Sequence, residues 1–247
     1  MNLDIKYING IKMKIPCEQL TNSLDSLSIY NEYIQQMNMH FPEFVIEPND
    51  IFVDVGSHVG FFAIPLMINN PNINCYCYEA SAFNFGLLER NIYANNIDPK
   101  RITTSNFAIS STQGVRLFSE GVSSTTGHFS ELKLYKRTVG ANEKRYLKRK
   151  NSKNIKIITK SLDQVFEEAK INICKLLKID IEGGEHLVFQ GSQLFLRHTK
   201  YLVMELHPVD GFSPDIIINN IQNAGFTIKT RKYENGCSIL YCNNLNN

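Results

Sequence analysis

The chain has 247 residues and a formal net charge of +2, from 26 Lys and Arg against 24 Asp and Glu. A hydrophobic fraction of 43% with 20% charged residues excludes a disordered or collagen-like chain and supplies one large core or two small ones. No apolar run nears the ~20 residues of a membrane-spanning helix, the N-terminus shows no apolar signal core, and the near-neutral balance argues against a nucleic-acid partner.

Residues 4–15 alternate on either side of Asn9-Gly10, a strong hairpin signal. Ile29, Tyr33, Ile34 and Met37 recur at helical spacing within residues 27–41. Residues 1–49 therefore read as an N-terminal cap of hairpin plus helix, and residues 50–247 as one domain. Strand patterns over 51–55, 74–80, 102–110, 173–181 and 201–206 alternate with helical ones over 60–69, 81–95, 161–169, 184–192 and 213–225. Ser81 and Ser161 open two of these helices, Pro214 lies in the first turn of another, and Gly225 ends it. Residues 226–242 read as a hairpin around Asn235-Gly236. Segments 114–120 and 154–160 add antiparallel strands that bracket a basic insertion around 120–160. The alternation predicts a doubly wound, Rossmann-like α/β fold: a mostly parallel sheet, helices on both faces and a C-terminal antiparallel hairpin. Cys17, Cys75, Cys77, Cys174, Cys237 and Cys242 form no C-x-x-C pair and sit mostly in apolar runs. They read as reduced, buried thiols of a cytoplasmic protein rather than as zinc ligands.

The stretch IFVDVGSHVGFF, residues 51–62, closes the first buried strand with Asp54 and a turn containing Gly56 and Gly60. Open parallel sheets bind ligands beyond the carboxyl ends of their strands, where strand order reverses. Two absent Cβ atoms would let backbone approach a ligand there. Glu79 ends the next strand, placed to accept hydrogen bonds from a ribose. The spacing Gly56-Ser57-His58-Val59-Gly60 lacks the middle glycine of the dinucleotide fingerprint, and no lysine follows as in a P-loop. A cofactor without phosphates, its sulfonium near Asp54, suits this turn better than NAD. The expected cofactor is S-adenosylmethionine (SAM).

Joined to YEASAFNFGLLERNI, NFAIS and SLDQVFEE, that turn and the stretch LLKIDIEGGEHLVFQG at 176–191 resemble the FkbM family of SAM-dependent methyltransferases. The resemblance runs from about Glu47 to Pro208 and includes the Lys-Ile-Asp-Ile-Glu-Gly-x-Glu signature at 178–185. It implies a seven-stranded class I methyltransferase fold and methylation of a hydroxyl on a sugar, glycolipid, polysaccharide precursor or polyketide. Carried over by position, Asp54, Gly56, Ser57, His58 and Gly60 would lie under the methionine part of SAM. Glu79 would hold the ribose with Ala80 and Ser81 beside it. Asn106, Phe107 and Ala108 would border the adenine, and Asp180 would stand next to the methyl donor. His58 departs from many relatives, which carry small or amide side chains there.

A sugar hydroxyl needs a base as its oxygen attacks carbon. Asp180, Glu182, Glu185 and His207 are the candidates. His207 or Asp180 would take the proton, and Glu182 would orient the hydroxyl. Glu185 could instead cap its helix or pair with Lys178 or Arg197. Mg²⁺ could sit among these acids, but their spacing matches no metal motif and no metal ligand is assigned. His40, His128 and His198 read as surface or structural, and Phe83 and Phe85 as core. From Lys133 to Lys160 there are eleven Lys or Arg and one acid. That run reads as a solvated loop or as a flap for a phosphate-bearing acceptor such as a nucleotide-linked sugar. The rival functions are an NAD(P)-dependent oxidoreductase and a non-catalytic SAM- or glycan-binding protein.

Overall fold

The structure, a computed structural model of the chain, describes residues 3–8, 11–16, 29–120, 127–133, 153–232 and 236–246. Strands β1 (Leu3–Ile8) and β2 (Ile11–Pro16) pair antiparallel, with Ile8 opposite Ile11. Asn9 and Gly10 between them lie outside the described residues. Helix α1 (Ile29–His40) leads to β3 (Ile51–Val55), α2 (Ala63–Asn69), β4 (Asn74–Tyr78), α3 (Ala82–Ala94) and β5 (Ile102–Ser105). Next come β6 (Ala108–Ile109), β7 (Gly114–Glu120), β8 (His128–Phe129), β9 (Lys153–Lys160) and α4 (Leu162–Glu168). The chain closes with β10 (Cys174–Ile179), α5 (Glu185–Val188), β11 (Thr199–Leu206), α6 (Pro214–Asn223), β12 (Phe226–Lys232) and β13 (Ser238–Asn244).

Seven strands form the main sheet in the order β12-β13-β11-β10-β3-β4-β5. β11, β10, β3, β4 and β5 run parallel, while β13 is antiparallel to both its neighbours. The expected mostly parallel α/β sheet is present. Its interior strands are apolar on both faces because helices cover both. Phe52, Leu176, Val203 and Tyr241 pack on one face with α1, α2 and α3. Val53, Val55, Leu177, Met204 and Leu240 pack on the other with α4 and α6. Serines start the helices as expected. Ser81 accepts from the Asn84 N–H, and Ser161 forms a reciprocal capping box with Gln164.

Three expectations are corrected. Residues 102–110 are not one strand. The Asn106 side chain donates to the carbonyls of Glu79 (2.8 Å) and Ala80 (3.1 Å), and the chain leaves the main sheet there. β6 then joins a second, four-stranded sheet of order β6-β9-β7-β8, where β7 and β9 are antiparallel. The helix read over 184–192 shrinks to α5. A Cβ on Gly191 would stand 2.4 Å from the Ser111 carbonyl, so the chain must turn flat against that backbone. Phe83 is not core: it is 67% exposed, whereas Phe85 packs partly buried against the first cluster.

Five cysteines, Cys75, Cys77, Cys174, Cys237 and Cys242, are free and buried. Cys17, Asn235 and most of the basic insertion, residues 134–152, lie outside the described residues. Among the described residues no helix is long and apolar enough to cross a membrane.

Candidate active site

Strand order reverses at the centre of the sheet. The chain runs outward from β3 through β4 to β5, then returns to β10 on the other side of β3. The carboxyl ends of β3, β4, β10 and β11 meet at this switch point. In the register Asp54 lies opposite Lys178, and the next pairing is Val55 with Ile179. Side chains alternate across a sheet, so Asp54, Lys178 and Asp180 share the face that carries α1.

Lys178 organises the rim. Its Nζ lies 3.0 Å from Asp54 Oδ1, donates to the Gly56 carbonyl at 2.7 Å and stands 4.0 Å from Asp180 Oδ2. Lys178 and Asp54 are both buried. Burial disfavours the ammonium, but Asp54 and Asp180 outweigh it and hold the lysine pKa above its ordinary value. Asp54, expected from its spacing to lie by the cofactor, has Lys178 as its partner in the fold.

The two glycines serve protein packing. Gly56 has φ +78°, and a Cβ there would sit 1.9 Å from the Asp180 carbonyl. Gly60 has φ +93°, and its Cβ would collide with Ile64 and Leu88. The turn is thus pressed onto the end of β10, α2 and α3, and the space a Cβ would take at each glycine is filled by protein. Ser57 pins it further, its hydroxyl donating to the Asp54 carbonyl at 2.8 Å.

Glu79 clasps the turn from β4. Its Oε2 accepts the His58 N–H and its Oε1 accepts the Ser81 N–H, each at 2.8 Å. The Asn84 side chain is a third donor to this carboxylate, which leaves about one of its four lone-pair positions open. His58 is left-handed (φ +51°), and its buried Nε2 has no hydrogen-bond partner. Burial, aided by the Lys178 charge, lowers its pKa to about 4, so the imidazole is neutral at pH 7. Phe107 stacks obliquely on Tyr78 at 5.3 Å, with the Lys160 ammonium 5.2 Å from its ring centre. Ala108 is buried in the second sheet, while Ala80 is only partly covered.

The candidate catalytic residues do come together. Tyr33 of α1 donates to Asp180 Oδ2 at 3.2 Å, the same oxygen that Lys178 approaches. Glu182 follows in a left-handed conformation, φ +52°. Glu185 is fully buried, and its Oε1 accepts the Ile181 N–H at 2.9 Å and lies 3.2 Å from His207 Nδ1. Its partners are therefore His207 and the turn, not the Lys178 or Arg197 considered from sequence. His207 Nε2 faces Glu205 at 3.6 Å and Glu182 at 3.9 Å. Burial works against an imidazolium, but Glu185, Glu182 and Glu205 overcome it and raise the His207 pKa well above 6.5. Glu205 was missed in the sequence. Burial and the Asp180 charge push its carboxyl up to about 7. The alternation Lys178-x-Asp180 and Glu205-x-His207, directly after the apolar stretches Leu176–Leu177 and Tyr201–Met204, is the signal that marks both overlooked residues.

A cleft of about 330 Å³ opens beside this cluster, lined by His207, Pro208, Phe212, Pro214, Gly236 and Ser238 among others. The second sheet abuts it: Phe118, Phe129 and Ile157 pack with Leu187 and Val209, and the Lys133 carbonyl accepts the Asp210 N–H at 2.9 Å.

Residues 54–228, more than two thirds of the chain, match the family described as the methyltransferase FkbM domain. The chain belongs to the FkbM methyltransferase family. Solved methyltransferases share its fold. The methyltransferase FkbM from Methylobacillus flagellatus KT superposes with TM-score 0.53 at 13% identity, over 92% of this chain and 56% of its own. This FkbM chain thus spans little more than half the length of that relative. The N-terminal domain of human METTL16, in complex with SAH, gives TM-score 0.52 at 13% identity, over 95% and 76% of the two chains. A human methyltransferase 10 domain containing protein gives 0.51 at 11%, over 96% and 90%. No curated protein matches the FkbM chain by sequence.

Proposed function

We propose that this FkbM protein is a SAM-dependent O-methyltransferase acting on a hydroxyl of a sugar, a nucleotide-linked sugar or a surface-polysaccharide precursor. The observation that carries the reading is the convergence of Glu79, the His58 turn and Asp180 on adjacent strand ends at the switch point. These residues fit SAM. Glu79, with three donors already on it, keeps about one lone-pair position for a ribose hydroxyl, and the unpartnered His58 Nε2 lies in the turn that would carry the methionine part. Asn106 and Phe107 would flank the adenine. Asp54 acts through Lys178 and the turn, since it is sealed from solvent.

Bound there, SAM would supply an electrophilic methyl group and depart as a neutral thioether. Asp180 receives the proton of the acceptor hydroxyl on Oδ1, because Tyr33 and Lys178 both address Oδ2. Glu182 orients that hydroxyl. His207 suits the base role less, because carboxylates face both its ring nitrogens. The 1–49 cap takes part through Tyr33. The basic insertion departs from Lys133, beside the cleft, which supports a phosphate-bearing acceptor. A cytoplasmic enzyme is in keeping with its five buried free thiols.

Calorimetric titration with SAM, its demethylated product and NAD, repeated on Glu79→Ala, tests the reading. We expect both sulfur nucleosides to bind and the variant to lose them. Binding of NAD alone would move the protein to the oxidoreductases. Binding of SAM with no methyl gained by any hydroxylated acceptor, read by mass, would favour a non-catalytic binder.

A further inference from the structure

We propose that Glu205, His207 and Cys237 form a zinc site at the inner end of the cleft. The ligand atoms of these three residues all lie within 4.8 Å of one another. The sheet explains why. Leu206 pairs with Ser238, so continuing the antiparallel register sets Cys237 opposite His207. Glu205 and His207, two residues apart, point to the same side.

Tetrahedral zinc, with bonds of about 2.0–2.3 Å, holds its ligand atoms roughly 3.3–3.6 Å apart. Glu205 Oε1 and His207 Nε2 are 3.6 Å apart. Glu182 Oε2, 3.9 Å from the same nitrogen, is within reach as a fourth ligand or can leave that position open. Thiolate and imidazole select zinc over the hard cation Mg²⁺.

The surroundings are those of a metal histidine. Glu185 Oε1 stands 3.2 Å from His207 Nδ1, which puts the proton on Nδ1 and leaves Nε2 to the metal. Glu185 is itself fixed by the Ile181 N–H. The His207 carbonyl lies 2.9 Å from His186 Nε2, which holds the backbone. Glu182, Glu185 and Glu205 surround a single imidazole, an excess of negative charge that a dication balances. Gly236 and Ser238, on either side of Cys237, line the cleft and give an ion a way in. Spacing along the chain carried no zinc signature, because the cysteine comes from a different strand than the other two ligands. If the proposed methyl transfer holds, the metal would meet an acceptor hydroxyl in the cleft.

The test uses the full chain freed of metal by chelation, then titrated with Zn²⁺ by calorimetry and with Co²⁺ by absorption. We expect one equivalent of each to bind, with a thiolate-to-cobalt charge-transfer band. Cys237→Ser should lose that band, and Glu185→Gln should weaken zinc about 10- to 100-fold. Wild-type protein that binds no metal, or binds cobalt without the band, overturns the site whether or not the variants fold. So does a band that survives in Cys237→Ser. None of these results bears on SAM binding, which is measured separately.

Discussion

Removing the Lys178 ammonium takes away the cation that opposes the burial of Asp54. Burial already pushes that carboxyl above its ordinary pKa, so without the lysine Asp54 must stay charged and unpaired or take up a proton. Lys178→Met keeps most of the stem and deletes the ammonium, with its 3.0 Å contact to Asp54 Oδ1 and its hydrogen bond to the Gly56 carbonyl. Asp54 has no other charged partner that close, and its Oδ2 has no hydrogen bond. Losing one member of a buried pair costs about 3–5 kcal/mol, whereas replacing both with neutral groups costs far less. For a domain of this size that is a fall in Tm of roughly 6–20 °C. Urea melts of wild type, Lys178→Met, Asp54→Asn and the double variant form a complete cycle. We expect the double variant to recover most of the loss, with a coupling of about 2 kcal/mol or more. The pair also has a pH signature. The folded lysine pKa lies above its ordinary 10.5, so its contribution is full below that value and fades only as pH rises through the folded pKa. Additive single variants, each costing under about 1 kcal/mol, would refute the pair as the element that locks β3 to β10.

Three further outcomes are expected. Asp180→Ala should retain SAM binding and lower turnover by ~10²-fold or more, the usual scale for a lost base; unchanged turnover in a single-turnover assay would remove Asp180 from that role. Glu182→Gly should relieve a left-handed non-glycine backbone and raise stability by about 1 kcal/mol while reducing activity; a less stable variant would mean the side chain supports the fold. His58 is neutral in the fold with a pKa near 4 against 6.5 when free. Its contribution is therefore full above 6.5 and is lost as pH falls towards 4, about 3 kcal/mol in all. His58→Asn, which tolerates the same backbone, should flatten that part of the stability–pH curve, and parallel curves for the two proteins would contradict the assignment.

What the sequence disclosed is what local physics controls. Apolar runs bounded by turn residues located every strand of the main sheet, because burial on both faces marks each segment on its own. Ser81 and Ser161 were legible as caps because a cap needs only the next three residues. The failures are long-range. The chain breaks at Asn106 because its amide reaches carbonyls 27 and 26 residues back in sequence. α5 ends early because Gly191 must lie against Ser111, a neighbour that no local pattern announces. The glycines of the turn answer to Asp180, Ile64 and Leu88, the bodies a Cβ would meet there, and Asp180 and Leu88 are far from them along the chain.

The site divides along the same line. Glu79 and Asp180 could be named because each ends a strand, and strand ends are where an open sheet binds ligands. Lys178, Glu205 and Tyr33 could not, because their meaning depends on strand order. Once β10 lies between β3 and β11, Lys178 stands opposite Asp54 on one side and Val203 on the other. One further step along the parallel register aligns Asp180 with Glu205. The polar residues then fall in a single row on one face of the sheet, and α1 covers it with Tyr33. Burial and the Asp180 charge raise the Tyr33 pKa well above 10, so at neutral pH its hydroxyl keeps its proton and remains a donor. Asp180 is thereby oriented through one oxygen by two groups far apart in sequence, Tyr33 from the cap helix and Lys178 from its own strand. The cap and the sheet thus build one site, and a chain lacking α1 would lose the hydrogen bond that orients Asp180 even if the sheet still formed.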